Sequence, residues 1–421
     1  MALLPPPDAP APAADLALLS WNVTWRCNLR CPHCYLDATA RAGPGELSTE
    51  EGEALIDDVA SLSPGAMLVL SGGEPLLRRD LPRLAARGAR RGLTVVVGTN
   101  GTLLDDARAE ELAGAGVTGV GLSLDSLDPA RHDAFRGVPG AAARTRGALA
   151  AARRVGLAVQ LQTTVLRENY DEIPALVEWA ARQGVRAMAL FFLVCTGRGQ
   201  RMTDLSPERY EDLLRWVATA GARQDILVRA RCAPHFRPVA LELDPRSAFL
   251  AEDASACLAG RHYARVAPNG DVTPCPYLPL VVGNVRAHPF SELWRTAPAF
   301  ASLRAPSLGG RCGDCEFASL CGGCRARAFA ASGDLLAEDP WCARRPGAKP
   351  RAAPPPLRWD PEAEGRLANM PAFIRGMVRR RIEARASERG LARVTIELVR
   401  ESRERMPGVA GHPPHGGATT G

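Results

Sequence analysis

The sequence lacks the features that would place the chain in a membrane or in an export pathway. Its longest apolar runs, such as the run from Ala187 to Cys195, have the length of a strand and are far too short to cross a bilayer. The segment from Met1 to Asp15 is rich in Pro and Ala, and it lacks the basic and apolar regions of a signal peptide. The chain is therefore predicted to be cytoplasmic and to have no membrane partner.

The chain also lacks a strong excess of charge of either sign. The formal net charge of its 421 residues is +6, carried mostly by Arg. This excess is too diffuse to indicate nucleic-acid binding, although it is compatible with an anionic substrate. Cysteine is plentiful, with twelve residues. Because disulfides are rare in the cytosol, this many cysteines predict metal ligation.

Apolar runs of strand length alternate with helical patterns over the first half of the chain. Strands are predicted at 18–24, 66–70, 93–97, 117–124, 158–165 and 187–194, and helices at 49–61, 81–91, 105–115, 141–155 and 172–183. Ser48 and Glu51 have the spacing of a capping box before the first helix. This alternation is typical of an α/β fold with a parallel sheet. Six units favour a partial (β/α)6 barrel of the TIM type over a doubly wound open sheet.

The composition changes after this region and defines the predicted domains. The barrel is predicted at 17–240, a small Cys-rich domain at 241–344, and a small helical domain at 358–406. In the helical domain, Pro371 is predicted to start or break a helix and Thr395 to be an N-cap. The remaining segments are a Pro-rich linker and two disordered tails, at 345–357, 1–16 and 407–421.

Three cysteines follow the first predicted strand directly. Cys27, Cys31 and Cys34 are separated by three and then two residues. Thiolates are the usual ligands of iron–sulfur clusters, and a compact loop lets three of them converge on one cluster. Three ligands for four irons leave one iron open, which is the general mark of a catalytic metal centre. The alternative is a structural zinc site with His33 as the fourth ligand.

This spacing resembles the radical S-adenosylmethionine (SAM) superfamily, and the match extends beyond the cysteines. The sequence SGGEP at 71–75 is similar to the family's GGE motif, and GTNGTLL and GLSLDS follow the third and fourth predicted strands. The resemblance implies a SAM-binding [4Fe–4S] cluster on the three cysteines, with Tyr35 shielding the cluster and Glu74 holding the SAM ammonium. The implied SAM contacts are Gly72, Gly73, Glu74, Asn100, Ser123, Asp125 and Gln162, with Arg136 and Arg198 as weaker candidates.

A second cysteine region follows, and its layout resembles the SPASM extension of radical SAM enzymes. By position, the resemblance implies one auxiliary [4Fe–4S] cluster on Cys312, Cys315, Cys321 and Cys342, and another on Cys257, Cys275 and Cys324. The gap before Cys324 is one residue shorter than is common, so one or two auxiliary clusters are expected. Either Cys232 is the missing ligand or the site is open to substrate, whereas Cys195 is expected to be a buried or pocket residue. A zinc ribbon is the alternative for this region.

Several phrases resemble radical SAM enzymes that act on tetrapyrroles. LFFLVCTGRG at 190–199 and RCAPHF at 231–236 resemble enzymes of haem d1 synthesis and of the route from siroheme to haem. Residues 359–406 are similar to the small helical domain (PCP reductase domain) that ends the B subunit of light-independent protochlorophyllide reductase. That block contains Arg379, Arg380 and Arg381, which are either a substrate-attracting cluster or a solvated face. In the RCAPHF phrase, His235 is expected to be a turn residue rather than a haem ligand.

The resemblance implies a radical SAM oxidoreductase or lyase. Such an enzyme reductively cleaves SAM to a 5′-deoxyadenosyl radical that abstracts a substrate hydrogen, here in tetrapyrrole side-chain modification. The implied partners are a tetrapyrrole and a low-potential electron donor such as ferredoxin or flavodoxin, without nucleic acid. The alternatives are a peptide or metalloenzyme-cofactor maturase of the SPASM class and a non-catalytic iron–sulfur carrier. No residue of the sequence is predicted to be catalytic beyond these cofactor ligands.

Overall fold

The computed structural model describes residues 15–202, 205–219, 225–244 and 257–344, and then 357–368, 378, 379, 382, 383, 385, 386, 389 and 391–404. The chain forms two compact units, of which one holds the barrel and the Cys-rich region and the other holds the described residues from Leu357 onward. The calls for the N-terminal tail up to Ala14, the linker up to Pro356, Pro371, Arg380, Arg381 and the tail at 407–421 lie outside the described residues. Within the described ranges, each helix is too short or too polar to span a bilayer.

The first unit is built on a ten-stranded sheet with the order β10-β9-β8-β1-β2-β3-β4-β5-β6-β7. The strands are β1 Leu18–Asn22, β2 Met67–Ser71, β3 Thr94–Thr99, β4 Gly119–Ser123, β5 Ala158–Val165, β6 Ala187–Phe192, β7 Leu227–Arg231, β8 Tyr263–Val266, β9 Asp271–Thr273 and β10 Gly283–Asn284. Strands β1 to β7 pair in parallel in chain order, and β8 pairs in parallel with the other side of β1. A doubly wound sheet reverses its order at a switch point, so this consecutive order supports the partial barrel.

Helices lie between the consecutive strands of the barrel up to β8, and the last four helices of this unit follow β10. They are α1 Thr49–Leu62, α2 Leu81–Arg90, α3 Asp106–Gly114, α4 Pro129–Arg136, α5 Ala141–Arg154, α6 Ile173–Arg182, α7 Pro207–Ala218, α8 Phe236–Leu243, α9 Phe290–Thr296, α10 Pro298–Arg304, α11 Gly310–Gly313 and α12 Arg325–Ser332. The capping box is confirmed, because the Ser48 hydroxyl accepts from Glu51 N–H and the Glu51 carboxylate accepts from Ser48 N–H. The six predicted strands and five predicted helices are present within two residues of their predicted bounds, and β7 to β10 extend the sheet on both sides.

Alternate residues of each strand face either the helices or the barrel interior. Trp21 of β1 faces the helices, where its indole packs on α1 at Gly52. Ser20 and Asn22 therefore face the interior. The pairing register carries this face across β1 to β8, where it holds three arginines, and through Thr273, the partner of Arg265, to Asp271 on β9. Its residues on β1 to β8 are Leu18, Ser20, Asn22, Met67, Val69, Ser71, Thr94, Val96, Gly98, Gly119, Gly121, Ser123, Ala158, Gln160, Gln162, Thr164, Ala187, Ala189, Phe191, Leu227, Arg229, Arg231, Tyr263 and Arg265.

The second unit contains a small sheet in addition to the predicted helices. The strands β11 Arg358–Trp359 and β12 Arg393–Val394 pair in parallel, and the helices are α13 Pro361–Ala368 and α14 Ile396–Glu404. Thr395 precedes α14 directly, at the position predicted for an N-cap. The Arg379 guanidinium lies 4.9 Å from the Trp359 ring centroid and bonds to Glu364 and Glu383. Arg379 is therefore a partly exposed residue whose charge is paired within the unit, and both interpretations of it stay predictions.

The contact between Trp21 and α1 makes a prediction about stability. A Cβ at Gly52 would lie 2.3 Å from the indole Cη2, so Gly52→Ala overpacks this layer and should lower the free energy of unfolding by about 1–3 kcal/mol. Gly147, inside α5, is the matched control, because a Cβ there meets nothing within 4 Å. Gly147→Ala should stabilise by about 0.5–1 kcal/mol. Anaerobic urea unfolding measures both, and equal shifts in the two variants would contradict the packing of Trp21 on α1.

Candidate active site

The first three cysteines lie in a loop that follows β1 at the carboxyl edge of the sheet. Cys31 is buried, and Cys27 and Cys34 are partly buried. Burial, together with the nearby charges of Cys31 and Cys34, raises the pKa of the Cys27 thiol to about 12. A thiol in such surroundings becomes a thiolate only when a cation offsets the charge, as a coordinated metal does. The surroundings of the Cys27 sulfur therefore suit a metal ligand.

Nitrogen atoms around this loop point at the sulfurs. The Leu29 amide lies 3.4 Å from Cys27 Sγ, and Arg136 Nη1 lies 3.7 Å from Cys31 Sγ. N–H groups directed at thiolate sulfurs stabilise the charge on a cluster and tune its potential. The donor set and its surroundings thus fit an iron–sulfur cluster. His33 is accounted for otherwise, because its ring stacks on Phe135 at a centroid distance of 4.4 Å.

The two glycines of the SGGEP segment let that turn lie against the cysteine loop. A Cβ at Gly73 would lie 2.1 Å from the Arg26 carbonyl oxygen, and one at Gly72 would lie 2.7 Å from the Thr24 carbonyl oxygen. Gly72 also has a φ of 152°. Gly73 N–H donates to the Thr24 carbonyl at 2.9 Å, and Glu74 N–H donates to the Arg26 carbonyl at 2.7 Å. The close approach is therefore made to the chain's own backbone just before Cys27.

The Glu74 side chain is fully buried at the ends of β2 and β3. One carboxylate oxygen accepts from the Thr99 hydroxyl at 2.7 Å and from Leu76 N–H at 3.1 Å, and the other accepts from Asn100 N–H at 2.8 Å. Burial raises the pKa of this carboxyl above its ordinary value. Carboxylate oxygens have further lone pairs, so this anchored group can accept an additional donor.

The other predicted SAM contacts lie at the same edge but differ in their surroundings. Asn100 donates to Asn28 Oδ1 at 2.9 Å, and its Nδ2 is 4.0 Å from Cys27 Sγ. Ser123 and Gln162 are register partners on β4 and β5, and both face the interior. The Gln162 amide covers Gly121, where a Cβ would lie 2.4 Å from its Nε2.

Asp125 is held in a buried ion pair. Its Oδ2 accepts from Arg136 Nε at 2.7 Å, and its Oδ1 accepts from Thr164 N–H at 3.0 Å. Burial alone would raise the pKa of Asp125, but the charge of Arg136 holds it below the ordinary value. Asp125 thus fixes the guanidinium that reaches Cys31. Its direct contact with SAM stays a prediction.

Arg198 reaches the cysteine loop from the segment after β6. Its Nε donates to the Cys31 carbonyl at 3.0 Å and its Nη1 donates to the Ala38 carbonyl at 2.6 Å. The loop is therefore fixed from β2, from α4 and from the end of β6. Tyr35, which follows Cys34, accepts from Asn22 Nδ2 at 3.0 Å and meets Tyr277 edge-on at 5.0 Å.

Four further cysteines meet in one apolar cluster within the Cys-rich region. Cys275 and Cys324 are buried there, and Cys232 and Cys257 pack against them beside Leu278. Cys232 follows β7 and has a φ of 57°, a left-handed conformation that is uncommon for a residue with a side chain. Burial raises the pKa of the Cys324 thiol to about 12. Burial also raises the pKa of Cys275 and of Cys232, and the charges of neighbouring cysteines add to this effect. Cys232, one of the two alternatives predicted for the missing ligand, thus lies beside the other three cysteines.

The remaining four cysteines of that region line a separate cavity. Its walls include Cys312, Cys315, Cys321 and Cys342, with His235 and Asp339 beside them. Backbone N–H groups of Asp339, Phe317 and Gly323 lie 3.4 Å from three of the sulfurs. Four thiols with directed N–H groups fit an iron–sulfur cluster. Among the described residues, no three His, Cys, Asp or Glu side chains are spaced to hold one single metal ion.

Arg327 and Asp339 connect the two cysteine sets of this region. Both are buried and charged, and the sequence did not reveal them. Arg327 Nη1 lies 3.2 Å from Asp339 Oδ2, and Arg327 also donates to the Leu193 carbonyl at 3.2 Å and to the Cys232 carbonyl at 3.0 Å. Asp339 accepts from Cys324 N–H at 2.7 Å. His235 lies in a short turn, as predicted, and its buried ring lies 3.3 Å from Asp339. Cys195 is partly buried, with Sγ 3.6 Å from the Met202 carbonyl oxygen.

Three family models match this chain. The radical SAM superfamily matches residues 21–180, the SPASM iron–sulfur cluster-binding domain matches residues 257–316, and the proto-chlorophyllide reductase 57 kD subunit matches residues 359–403. The first match contains the cysteine loop and the SGGEP turn. The second contains four cysteines of the Cys-rich region.

The chain is similar to curated enzymes over most of its length. It is 41% identical to the AdoMet-dependent heme synthase of Methanosarcina barkeri, in an alignment that covers 79% of this chain and 97% of that enzyme. It is 34% identical to the pre-heme d1 synthase of Dinoroseobacter shibae, over 80% of this chain and 89% of that enzyme.

A solved structure has the same fold. Streptococcus suis SuiB bound to S-adenosylmethionine superposes with a TM-score of 0.64 at 17% identity, over 79% of this chain and 78% of that chain. The partial barrel predicted from the sequence is thus confirmed. Because it has the cysteine loop, the barrel and these relatives, the chain belongs to the radical SAM superfamily and is an enzyme with a SPASM iron–sulfur domain.

Proposed function

We propose that this radical SAM enzyme modifies a side chain of a tetrapyrrole, in the formation of haem from siroheme or of haem d1. The observation that carries this proposal is the 41% identity to a heme synthase across 97% of that enzyme. The barrel interior supports it, because the buried cation Arg265 lies on the interior face of β8, and a cation there suits a substrate with acidic side chains. Tetrapyrroles of this kind carry acetate and propionate groups.

The first cysteine loop would hold the SAM-binding cluster. When bound and reduced, this cluster with SAM supplies methionine and a 5′-deoxyadenosyl radical that removes a hydrogen atom from the substrate. The chain's own contribution is to fix Cys27, Cys31 and Cys34 through bonds from three sides of the barrel. Arg136, held by Asp125, keeps a positive charge 3.7 Å from Cys31 Sγ. That charge favours the thiolate form of the ligand.

The SAM contacts are proposed for the polar groups at the carboxyl edge of β2 to β5. Glu74 would hold the SAM ammonium while its bonds to Thr99 and to two backbone N–H groups keep it in place. Barrel enzymes assemble their sites at this edge because every strand ends there. The proposed contacts remain Gly72, Gly73, Glu74, Asn100, Ser123, Asp125 and Gln162.

Two auxiliary clusters are proposed in the SPASM domain. Cys312, Cys315, Cys321 and Cys342 would hold one of them, around the cavity that they line. Cys257, Cys275 and Cys324 would hold the other, with Cys232 as the fourth ligand because it lies in the same apolar cluster. A set of four thiolates closes that cluster to substrate, so its role would be electron transfer.

We also propose the partners and the location of the enzyme. A low-potential donor such as ferredoxin or flavodoxin would reduce the SAM cluster. The enzyme would act in the cytoplasm, where thiols stay reduced, without a nucleic-acid or membrane partner. The domain boundaries at 17–240, 241–344 and 358–406 are likewise proposed, and the structure groups the first two in one compact unit.

Turnover assays test the proposed substrate class. Anaerobically reconstituted enzyme with SAM and dithionite should convert iron coproporphyrin, a propionate-bearing tetrapyrrole, and release 5′-deoxyadenosine in step with the loss of side-chain mass. Mass spectrometry follows both products. Conversion of a peptide from the genomic neighbourhood, with iron coproporphyrin unchanged, would overturn the proposal in favour of a peptide maturase.

The role of Glu74 makes a second prediction. Glu74→Gln removes a charge-assisted hydrogen bond to the SAM ammonium, worth about 1.5–3 kcal/mol, so the Kd for SAM should rise about tenfold or more. Equilibrium dialysis of the anaerobic protein measures this change, with iron content unaltered. Glu172→Gln is the matched control, because Glu172 also accepts bonds from a loop but lies outside the predicted SAM contacts. An unchanged Kd in Glu74→Gln would show that this turn is only structural.

Iron content tests the three ligand sets. Reconstituted protein should contain about eight to twelve irons per chain. The triple change of Cys27, Cys31 and Cys34 to Ala should remove about four irons and abolish SAM cleavage, while the auxiliary signals persist. Cys232→Ala should alter the electron paramagnetic resonance of one auxiliary cluster and lower its iron occupancy.

Cys195→Ala is the matched control for Cys232→Ala. Cys195 is also a partly buried cysteine after an interior strand, but its sulfur faces the Met202 carbonyl. The Cys195→Ala variant should keep the full iron content and the full set of spectra. Identical spectra for Cys232→Ala and the unmodified enzyme would mean that this cluster has an open site, and an iron content near four with zinc in the remainder would contradict the SPASM assignment.

A further inference from the structure

Arg265 is a buried cation on the interior face of β8. Only 8% of the residue is exposed. Its Nε donates to Asn22 Oδ1 on β1 at 2.6 Å. Within the described part of the chain, Arg265 forms no ion pair with a carboxylate, and its two terminal nitrogens have no protein acceptor. Cys275 and Asp271 act on this charge without forming an ion pair with it. Because a buried charge without a paired counter-ion is costly, an anionic ligand would stabilise the position.

Two tyrosines lie near this guanidinium, and a third packs on one of them. Tyr35 accepts from Asn22 Nδ2 at 3.0 Å and meets the ring of Tyr277 at 5.0 Å, and Tyr263 shares the interior face of β8 with Arg265. Phenols are neutral at the pH of the cell, so the tyrosines do not supply the missing counter-charge. Their rings instead provide flat apolar surface beside a cation. Such a combination suits a planar conjugated ligand that carries an acidic group.

The position of Arg265 and the tyrosines in the barrel agrees with a role in substrate binding. Tyr35 follows Cys34 of the first cysteine loop, and its ring meets that of Tyr277, which packs against the apolar cysteine cluster. These tyrosines therefore lie between the two cysteine sets. An anion held by Arg265 would lie beside Asn22, at the carboxyl end of β1, from which the first cysteine loop follows.

We propose that Arg265 binds a carboxylate of the substrate through its two terminal nitrogens, with Asn22 holding the guanidinium in place. The proposal rests on the proposed function, because it assigns a subsite to the acidic side chains of a tetrapyrrole. Arginine is suited to this task, since its planar fork matches the two oxygens of a carboxylate. The Asn22 side chain accepts a hydrogen bond from Nε alone and so fixes the guanidinium. Both terminal nitrogens of Arg265 therefore stay available for the ligand.

Absorption titrations of the anaerobic holoenzyme test the subsite. The probes are iron coproporphyrin and its methyl ester, which has the same macrocycle without the negative charges. The unmodified enzyme should prefer the acid over the ester. Arg265→Gln should weaken binding of the acid about tenfold to a hundredfold and lose the preference, with SAM affinity and iron content unchanged. Arg144→Gln, on the exposed surface of α5, removes the same charge and should bind both probes as the unmodified enzyme does.

A second variant keeps the test decisive if Arg265→Gln loses its clusters or fails to fold. Asn22→Asp is nearly isosteric and gives Arg265 an internal carboxylate partner, so the protein should stay folded while its affinity for the acid falls about tenfold. Unchanged acid preference in whichever variant retains its clusters would overturn the subsite. A shift in auxiliary-cluster potential with unaltered acid binding would also overturn it, and would make Arg265 a charge partner of that cluster. If the unmodified enzyme binds neither probe, the proposed function fails instead.

Discussion

The buried ion pair between Arg327 and Asp339 connects the parts of the first unit that must be aligned for function. Arg327 belongs to α12 of the SPASM region, yet it bonds to carbonyl groups that follow β6 and β7 of the barrel. Asp339 bonds to the backbone of Cys324, which is in one cysteine set, and its own N–H lies 3.4 Å from the sulfur of Cys312, which is in the other. Burial alone would raise the pKa of Asp339, but Arg327 and His235 hold it below the ordinary value. Because loss of either partner would leave an uncompensated buried charge, costing about 3–5 kcal/mol, barrel and cysteine sets form one mechanical unit.

The surroundings of the cysteines link folding to metal loading. Burial raises the pKa of Cys27 and Cys324 to about 12 and that of Cys342 to about 11, so these thiols are protonated at neutral pH without metal. Coordination requires the thiolate, so assembly of the clusters releases protons and supplies the charge compensation that the protein interior lacks. The directed N–H groups then stabilise the coordinated sulfurs. The protein chain and its clusters are therefore interdependent in stability.

Local patterns in the sequence were sufficient for the parts of the structure that local interactions determine. The Ser48 capping box, the six strands and the cysteine spacing each depend on residues within one segment, and each was predicted. Arg265, Arg327 and the place of Cys232 depend on contacts between segments far apart in the chain, for which composition and spacing give no signal. The glycines of the SGGEP turn illustrate the difference: the sequence predicted that they contact SAM, and only the structure shows that they also lie against the chain's own segment before Cys27.

The position of β1 in the sheet has a consequence for biosynthesis. This strand lies between β2 and β8, and 243 residues separate Asn22 from its partner Arg265. At a translation rate of about 5–20 residues per second, the edge of β1 that pairs with β8 stays unpaired for about 12–50 seconds, until β8 has been synthesised. Through that interval, a strand edge with unpaired backbone groups lies next to a cysteine loop that has yet to receive iron. Nascent chains of this enzyme therefore need protection of that edge during synthesis, and the time required is set by the length of the barrel rather than by the speed of its folding.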